Sequence, residues 1–244
     1  MLDKIMKLHI LGCGDAFGNG GRNQSGYLFE AGDRLFLLDC GPTTLLAMKK
    51  AGIDPRRLDV VFLSHLHGDH FGGLPFLFIS YLYENPRDKP LHIAGPPGSE
   101  ERIDQLFQLM YGGDFPPTRF HILQPGTANL IAGIQVLPFR VPHQVQAISL
   151  GLKINYAGKQ ILFSGDSAWT DLFLSHARGV DLFLCECSFY EQDSSNHLSY
   201  KILKENLARL ECKKLVLTHL GEKMLQRRDE LEASCAEDGM VIEL

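Results

Sequence analysis

The chain has 244 residues, 45% of them hydrophobic, enough for one large domain (residues 1–244) with a substantial core. A net charge of −5 and a pI near 6.0 exclude a global basic footprint for nucleic acid, though not a local positive patch. Met1–Lys7 lacks a signal-peptide core, no run reaches a membrane span, and the cysteines scatter without a disulfide framework; reduced, mostly buried thiols in a cytoplasmic protein are expected.

Runs bounded by glycine at Lys7–Gly12, Ser25–Glu30 and Arg34–Asp39 predict short strands. Pro42–Ala51 reads as a helix, with Pro42 at its start and Gly52 past its end. Leu58–Ser64 is a nearly continuous apolar strand that delivers His65-Leu66-His67-Gly68-Asp69-His70. So many imidazoles beside a carboxylate cannot all point one way, and the segment suits two adjacent metals. On an extended segment His65 and His67 share a side. Gly68 permits a sharp turn that aims Asp69 and His70 at a neighbouring position. Nitrogen and oxygen donors without thiolate suit Zn²⁺ best, with Mn²⁺ or Fe as alternatives. A chance histidine-rich surface turn would owe nothing to such spacing.

Leu74–Tyr83 is apolar almost all round and predicts a buried or an interface helix; Phe76-Leu77-Phe78-Ile79 offers a homodimer contact. Leu91–Ala94 reads as a strand and Ser99–Tyr111 as an amphipathic helix capped by Ser99. Ile131–Val141, Ala147–Tyr156 and Lys159–Ser164 then alternate around turns such as Ala157-Gly158. The final third predicts strand Leu182–Cys187, helix Ser199–Leu210, strand Lys214–Thr218, helix Gly221–Ala236 and strand Val241–Leu244. In Cys185-Glu186-Cys187 the thiols share one strand face, where burial outweighs ligation. Two blocks of strands, each followed by αβ units, predict an α/β protein: a four-layer αββα sandwich of two related halves.

Further candidate ligands end buried strands: His143 after Val141-Pro142, Asp166 after Ser164-Gly165, and His219 after Leu217-Thr218. Strand ends of a sandwich bring side chains to a shared edge. Singly, such a residue is more often merely solvated; joined to the opening motif, they complete a ligand set. Asp39 ends a buried strand too, and reads as a carboxylate that orients a histidine.

In these residues the chain resembles metallo-β-lactamase-fold hydrolases over essentially its whole length. The family's motifs stand in order: Asp39; His65, His67, Asp69 and His70; His143; Asp166; His219. The resemblance implies the same four-layer sandwich. It also implies one Zn²⁺ on His65, His67 and His143, a second on Asp69, His70 and His219, and Asp166 bridging both. The Gly18–Ser25 loop resembles the Arg-Asn loop of ribonuclease Z-like enzymes, although an ordinary Gly/Asn turn reads equally well.

Glu186-Cys187-Ser188-Phe189 with His197-Leu198-Ser199 resembles the Glu-x-Thr-Phe … His-x-Ser/Thr elements of ribonuclease Z and related cyclic-nucleotide phosphodiesterases. This implies that His197, positioned by Glu186, meets the scissile phosphate and serves as acid to the leaving oxygen. The plain alternative is a helix-capping surface histidine. Two Zn²⁺ with Asp69, Asp166 and a bridging hydroxide leave about +1 facing the cleft, which suits phosphate; Asp69 would also orient the hydroxide. Only residues 144–165 separate His143 from Asp166, whereas ribonuclease Z carries its tRNA-gripping arm there. The expectation is therefore a binuclear metal-dependent hydrolase that cleaves small or cyclic phosphodiesters with a metal-bridging hydroxide. The alternatives are hydrolysis of lactams, lactones or thioesters on the same site, a ribonuclease Z-like endonuclease, or a metal-binding regulator without turnover. No membrane contact is expected, and nucleic acid stays open as a partner.

Overall fold

In the computed structural model, residues 5–144 and 146–244 are described; Met1–Lys4, part of the segment read for a signal peptide, lie outside the described residues. The first half folds as β1 (Met6–Gly12), β2 (Gly26–Ala31), β3 (Arg34–Leu38), α1 (Thr44–Lys50), β4 (Val60–Phe62), α2 (Gly68–Phe71), α3 (Leu74–Tyr83), β5 (Leu91–Gly95), α4 (Ser99–Met110) and β6 (Thr118–Ile122). The second half folds as β7 (Asn129–Ile131), β8 (Ile134–Arg140), β9 (Leu150–Tyr156), β10 (Lys159–Phe163), α5 (Leu172–Ala177), β11 (Leu182–Glu186), α6 (Tyr200–Asn206), β12 (Leu215–Thr218), α7 (Glu222–Gln226), β13 (Ser234–Cys235) and β14 (Val241–Glu243).

Two sheets result, in the orders β14-β1-β2-β3-β4-β5-β6 and β13-β12-β11-β10-β9-β8-β7. Their central strands are apolar on both faces because each sheet lies between the other sheet and helices. Phe36 and Leu38 of β3 face the inter-sheet core together with Leu182 and Leu184 of β11. Leu35 and Leu37 face the opposite way, onto Met48 of α1, Phe78 of α3 and Phe107 of α4. Phe183 and Cys185 face Phe173 of α5, Leu203 of α6 and Met224 of α7. The layers are thus αββα, as expected. Leu77 and Phe78 of α3 are spent on this core, which leaves only Leu82 and Tyr83 of that helix exposed. Cys185 and Cys187 are buried together under the second helix layer, and all the cysteines are free. No helix among the described residues is long and apolar enough to cross a membrane.

Several expectations need correction. Ile131–Val141 is interrupted: Ala132 and Gly133 take φ of 49° and 84°, a tight hairpin turn like that of Ala157 and Gly158 at 50° and 78°. Helix α4 is capped by Gly98, while Ser99 lies inside it and its hydroxyl donates to the Pro96 carbonyl at 2.6 Å. Gly68 does not use its conformational freedom; it opens the short helix α2 straight from extended His67. The predicted helix Gly221–Ala236 stops at Gln226, and β13 pairs with β12 instead, where the Ala236 amide donates to the Leu217 carbonyl at 2.8 Å. Backbone pairing at an open sheet edge outweighs weak helical periodicity. Strand β6 and helix α5 were not expected; β6 is a half-exposed edge strand without alternation, and α5 is a single short segment.

One buried carboxylate ties the first half together. Asp59, 3% exposed, accepts from Lys89 at 2.6 Å, from Arg34 at 3.2 Å and from the Leu35 amide at 3.0 Å. Burial opposes its ionisation, but Lys89, the amide and Arg34 outweigh burial and hold it below the usual aspartate range. A depressed folded pKa stabilises above the unfolded value of about 3.9, and that contribution fades as pH falls through the folded value. Asp59→Asn is expected to cost about 1–3 kcal/mol at pH 7 and progressively less as pH falls below about 3.9, read as the shift in urea midpoint at each pH.

Candidate metal centre

Strands β3 and β4 are parallel, as are β10, β11 and β12, and β8 runs the same way as β10 through antiparallel β9. Their C-terminal ends therefore meet along one edge of the sandwich. Asp39 follows β3, His65–His70 follow β4, His143 follows β8, Asp166 follows β10 and His219 follows β12. Asp39 and His219 adopt φ of 54° and 55°, a left-handed step that non-glycine residues take at a local cost. That step turns each side chain off its strand and into the edge.

The structure brings the expected residues into two groups that share Asp166. His65, His67, His143 and Asp166 offer atoms within 4.8 Å of one another, and so do Asp69, His70, Asp166 and His219. Asp166 Oδ2 lies 3.7 Å from His65 Nε2, 3.8 Å from His143 Nε2, 3.2 Å from His70 Nε2 and 3.4 Å from His219 Nε2. Asp69 Oδ2 is 3.1 Å from His70 Nε2 and 3.4 Å from His219 Nε2.

Whether these residues fit a metal depends on where their ring protons are held. His70 Nδ1 donates to Asp39 Oδ2 at 2.7 Å. Ser64 donates its hydroxyl proton to Asp39 at 2.8 Å and so accepts from His65 Nδ1 at 3.0 Å. Ser188 likewise donates to Glu186 at 2.8 Å and accepts from His219 Nδ1 at 2.9 Å. His143 Nδ1 donates to the Asn196 carbonyl at 2.7 Å. Each of these rings is therefore fixed by its outer nitrogen and turns Nε2 into the cluster. Among the described residues, the buried Nε2 atoms of His65 and His70 find no hydrogen-bond partner of good geometry, which leaves them open to a ligand inside the cluster. His67 is turned over: its Nδ1 faces His143 Nε2 at 3.1 Å and its Nε2 meets Gln144. This donor set fits divalent metal.

Electrostatics divides the cluster. Burial would raise Asp166 and Asp69, but His219 and His70 outweigh it and hold both carboxyls below the usual range. Against burial, Asp166 and Asp39 lift His70 well above an ordinary histidine, and Asp166 with Asp69 lifts His219 to about 9. His65, His67 and His143 are pushed down, chiefly by burial. The paired carboxylates draw positive charge, while the other side presents neutral imidazoles, the form that ligates metal.

Glu186, 1% exposed, accepts from the Ser167 amide at 2.6 Å, from Ser188 at its amide (3.2 Å) and hydroxyl (2.8 Å), and from His197 Nδ1 at 2.8 Å. Although Glu186, His197 and His219 stand close enough to hold an ion, so many donors leave the carboxylate no free lone pair for one. His197 instead leans on Glu186 and turns Nε2 to the cleft. Burial lowers its basicity, but the Glu186 carboxylate outweighs that and raises it above the usual value. Motif reading assigned no role to Ser64, Ser188, Asn196 or Gln144; the hydroxyl in Glu186-Cys187-Ser188 and the serine before His65 were the available signals.

A cleft of about 590 Å³ opens over the cluster, with Phe17, Tyr190, Lys223 and Arg227 on its walls. Asp15 holds the Phe17 loop by accepting from the Phe17 amide at 3.2 Å and from Asn19 Nδ2 at 2.6 Å. Arg22 and Asn23 touch none of the cluster. They pin the base of that loop, through Arg22 to the Ala236 carbonyl at 2.6 Å and Asp238 to the Asn23 amide at 2.7 Å.

This fold and this histidine–aspartate edge define a metallo-β-lactamase-fold, metal-binding hydrolase. The chain belongs to the family of the Anti-Pycsar protein Apyc1, whose model matches residues 6–239. It is 31% identical to the probable metallo-hydrolase YhfI of Bacillus subtilis over 88% of this chain and 87% of that one. The crystal structure of YhfI superposes with a TM-score of 0.81 and covers 98% of this chain and 100% of that one. Ribonuclease Z of Methanothermobacter thermautotrophicus is 25% identical over 94% of this chain and 91% of its own length. A diphosphatase of the PhnP family shares the fold at a TM-score of 0.82 and 18% identity, covering 98% of each chain.

Proposed function

We propose that the chain, acting as one domain, is a dinuclear zinc phosphodiesterase for small or cyclic phosphodiesters. His65, His67 and His143 would hold one ion, Asp69, His70 and His219 the other, and Asp166 both; Mn²⁺ or Fe suit the same donors. When bound, such a pair activates water near neutral pH and clamps the oxygens of an in-line displacement. Asp69 orients the attacking water. His197, held by Glu186, donates the Nε2 proton to the departing alkoxide, and Ser188 keeps Glu186 and His219 in register.

The observation that carries this reading is the 2.8 Å contact of His197 with Glu186 at the rim of the cluster. Opening a strained lactam or a thioester needs no such acid for a poor alkoxide leaving group. Between His143 and Asp166 the described residues form only β9, its turn and β10. The absence of a projecting segment there favours a compact substrate over tRNA. Ribonuclease Z-like cleavage is the second reading, supported by that relative. A homodimer would rest on the exposed Leu82 and Tyr83 of α3, and light scattering tests it.

The decisive experiment is a panel of bis(p-nitrophenyl) phosphate, cyclic nucleotides, a tRNA precursor, nitrocefin, lactones and thioesters with zinc-loaded protein. Phosphodiester turnover above the His67→Ala background is the expected result, and its absence would sink the proposal.

A further inference from the structure

Among the described aromatic rings on the cleft walls, Phe17 is the one that keeps its faces open. Phe189 stands edge-on to His197, with 6.0 Å between ring centres. Tyr190 has Arg227 over its face at 4.6 Å and donates its hydroxyl to Glu230 at 2.7 Å. Phe17 is 88% exposed, although it borders the same cleft as Asp69, Asp166 and His197.

An exposed phenylalanine on a loose loop would mean little. This loop is held. Asp15, only 5% exposed, accepts from the backbone amides of Phe17 at 3.2 Å and Asn19 at 3.1 Å, and from Asn19 Nδ2 at 2.6 Å. The Gly18 amide closes the turn onto the Asp15 carbonyl at 3.1 Å, and Gly18 and Gly20 take φ of 66° and 68°, a region that favours glycine. Gly20 also has no room for a side chain, since a Cβ there would come within 2.8 Å of Leu225 Cδ1 of α7. The backbone that presents the ring is therefore fixed before a substrate arrives, and little ordering entropy opposes contact with it.

A diester whose phosphate sits on the histidine–aspartate cluster carries its substituents out along these walls. A flat ring laid on Phe17 gains a stacked contact and removes apolar surface of both rings from water. Lys223 and Gln226 on the same walls bring hydrogen-bonding ends to the cleft, which suits the edge of a nitrogen heterocycle better than that of a hydrocarbon ring.

We propose that Phe17 is a specificity-determining residue: its open face stacks on the base of a nucleotide substrate, so that the site selects phosphodiesters by the ring they carry. This rests on the phosphodiesterase reading above, but stacking is measurable without turnover.

The test is calorimetric binding of AMP, ribose phosphate and phenyl phosphate to zinc-loaded wild type, Phe17→Ala and Phe17→Trp. Beside it, kcat/KM is measured for the p-nitrophenyl ester of thymidylate and for methyl p-nitrophenyl phosphate, which share a leaving group. Expected is a wild-type preference for AMP over ribose phosphate of roughly 5–100-fold, the range for one base stacked on an aromatic side chain, lost in Phe17→Ala and kept in Phe17→Trp. The alanine variant should raise KM for the thymidylate ester by a similar factor and leave the methyl ester unchanged. No preference for AMP in wild type, a preference that survives Phe17→Ala, or phenyl phosphate bound as tightly as AMP would overturn the inference alone. A Phe17-dependent preference without turnover of either ester would keep the stacking role and sink the phosphodiesterase reading.

Discussion

Asp166→Asn is expected to lower kcat/KM for phosphodiesters by at least about 10³-fold and to leave purified protein short of metal. Loss of a group that merely orients a ligand costs roughly 10–100-fold, and Asp166 stands closer to the chemistry than that. Its Oδ2 stands within 3.8 Å of His65, His70, His143 and His219 together. An asparagine in its place keeps the volume but removes the charge that couples the two halves of the site. Asp39→Asn, which disturbs only the His70 contact at 2.7 Å and its Ser64 links, should fall in the smaller range. Elemental analysis and kinetics on both variants check the ordering. An Asp166→Asn enzyme with full metal content and wild-type rate would remove the shared-carboxylate assignment.

His197→Ala carries the second large effect, and its signature is dependence on the leaving group. General-acid catalysis contributes roughly 10²–10⁴-fold where the departing oxygen needs a proton. An alkoxide needs one and p-nitrophenolate does not. The variant should therefore lose most of its kcat on a ribose or alkyl ester and little on bis(p-nitrophenyl) phosphate. Glu186→Gln should follow the same pattern at smaller amplitude, since it weakens the charge that raises His197 but keeps an acceptor near Nδ1. Equal losses on both substrates would make His197 a binding or structural group; no loss on either would favour the lactone and thioester alternative.

How much of this was legible beforehand differs by residue. His65, His67, Asp69 and His70 announce themselves because donor atoms crowd one short segment, whatever the fold. His143, Asp166 and His219 are legible only as polar residues that end apolar strands, a weak signal one at a time. Their partners were less visible still. Ser64 and Ser188 act through one hydroxyl each, marked in sequence only by their place beside His65 and Glu186, and Asn196 acts through its backbone carbonyl, which no sequence feature marks. In segment 221–236 Met224, Leu225 and Leu231 mimic helical spacing, while the pairing that wins is with β12, outside the segment itself.

By itself, the sequence determined the layer architecture, since apolar runs of strand length alternate with helical ones, and the donor chemistry, since side-chain type alone decides what an ion meets. Tertiary structure decided the rest. Parallel strand ends from two sheets were needed to carry residues 39 to 219 to one edge, and the outer ring nitrogens of His70, His143 and His219 found their partners only there. A tautomer is a property of a neighbourhood, set by which atom stands within hydrogen-bonding distance. For His70 that neighbour is the carboxylate of Asp39.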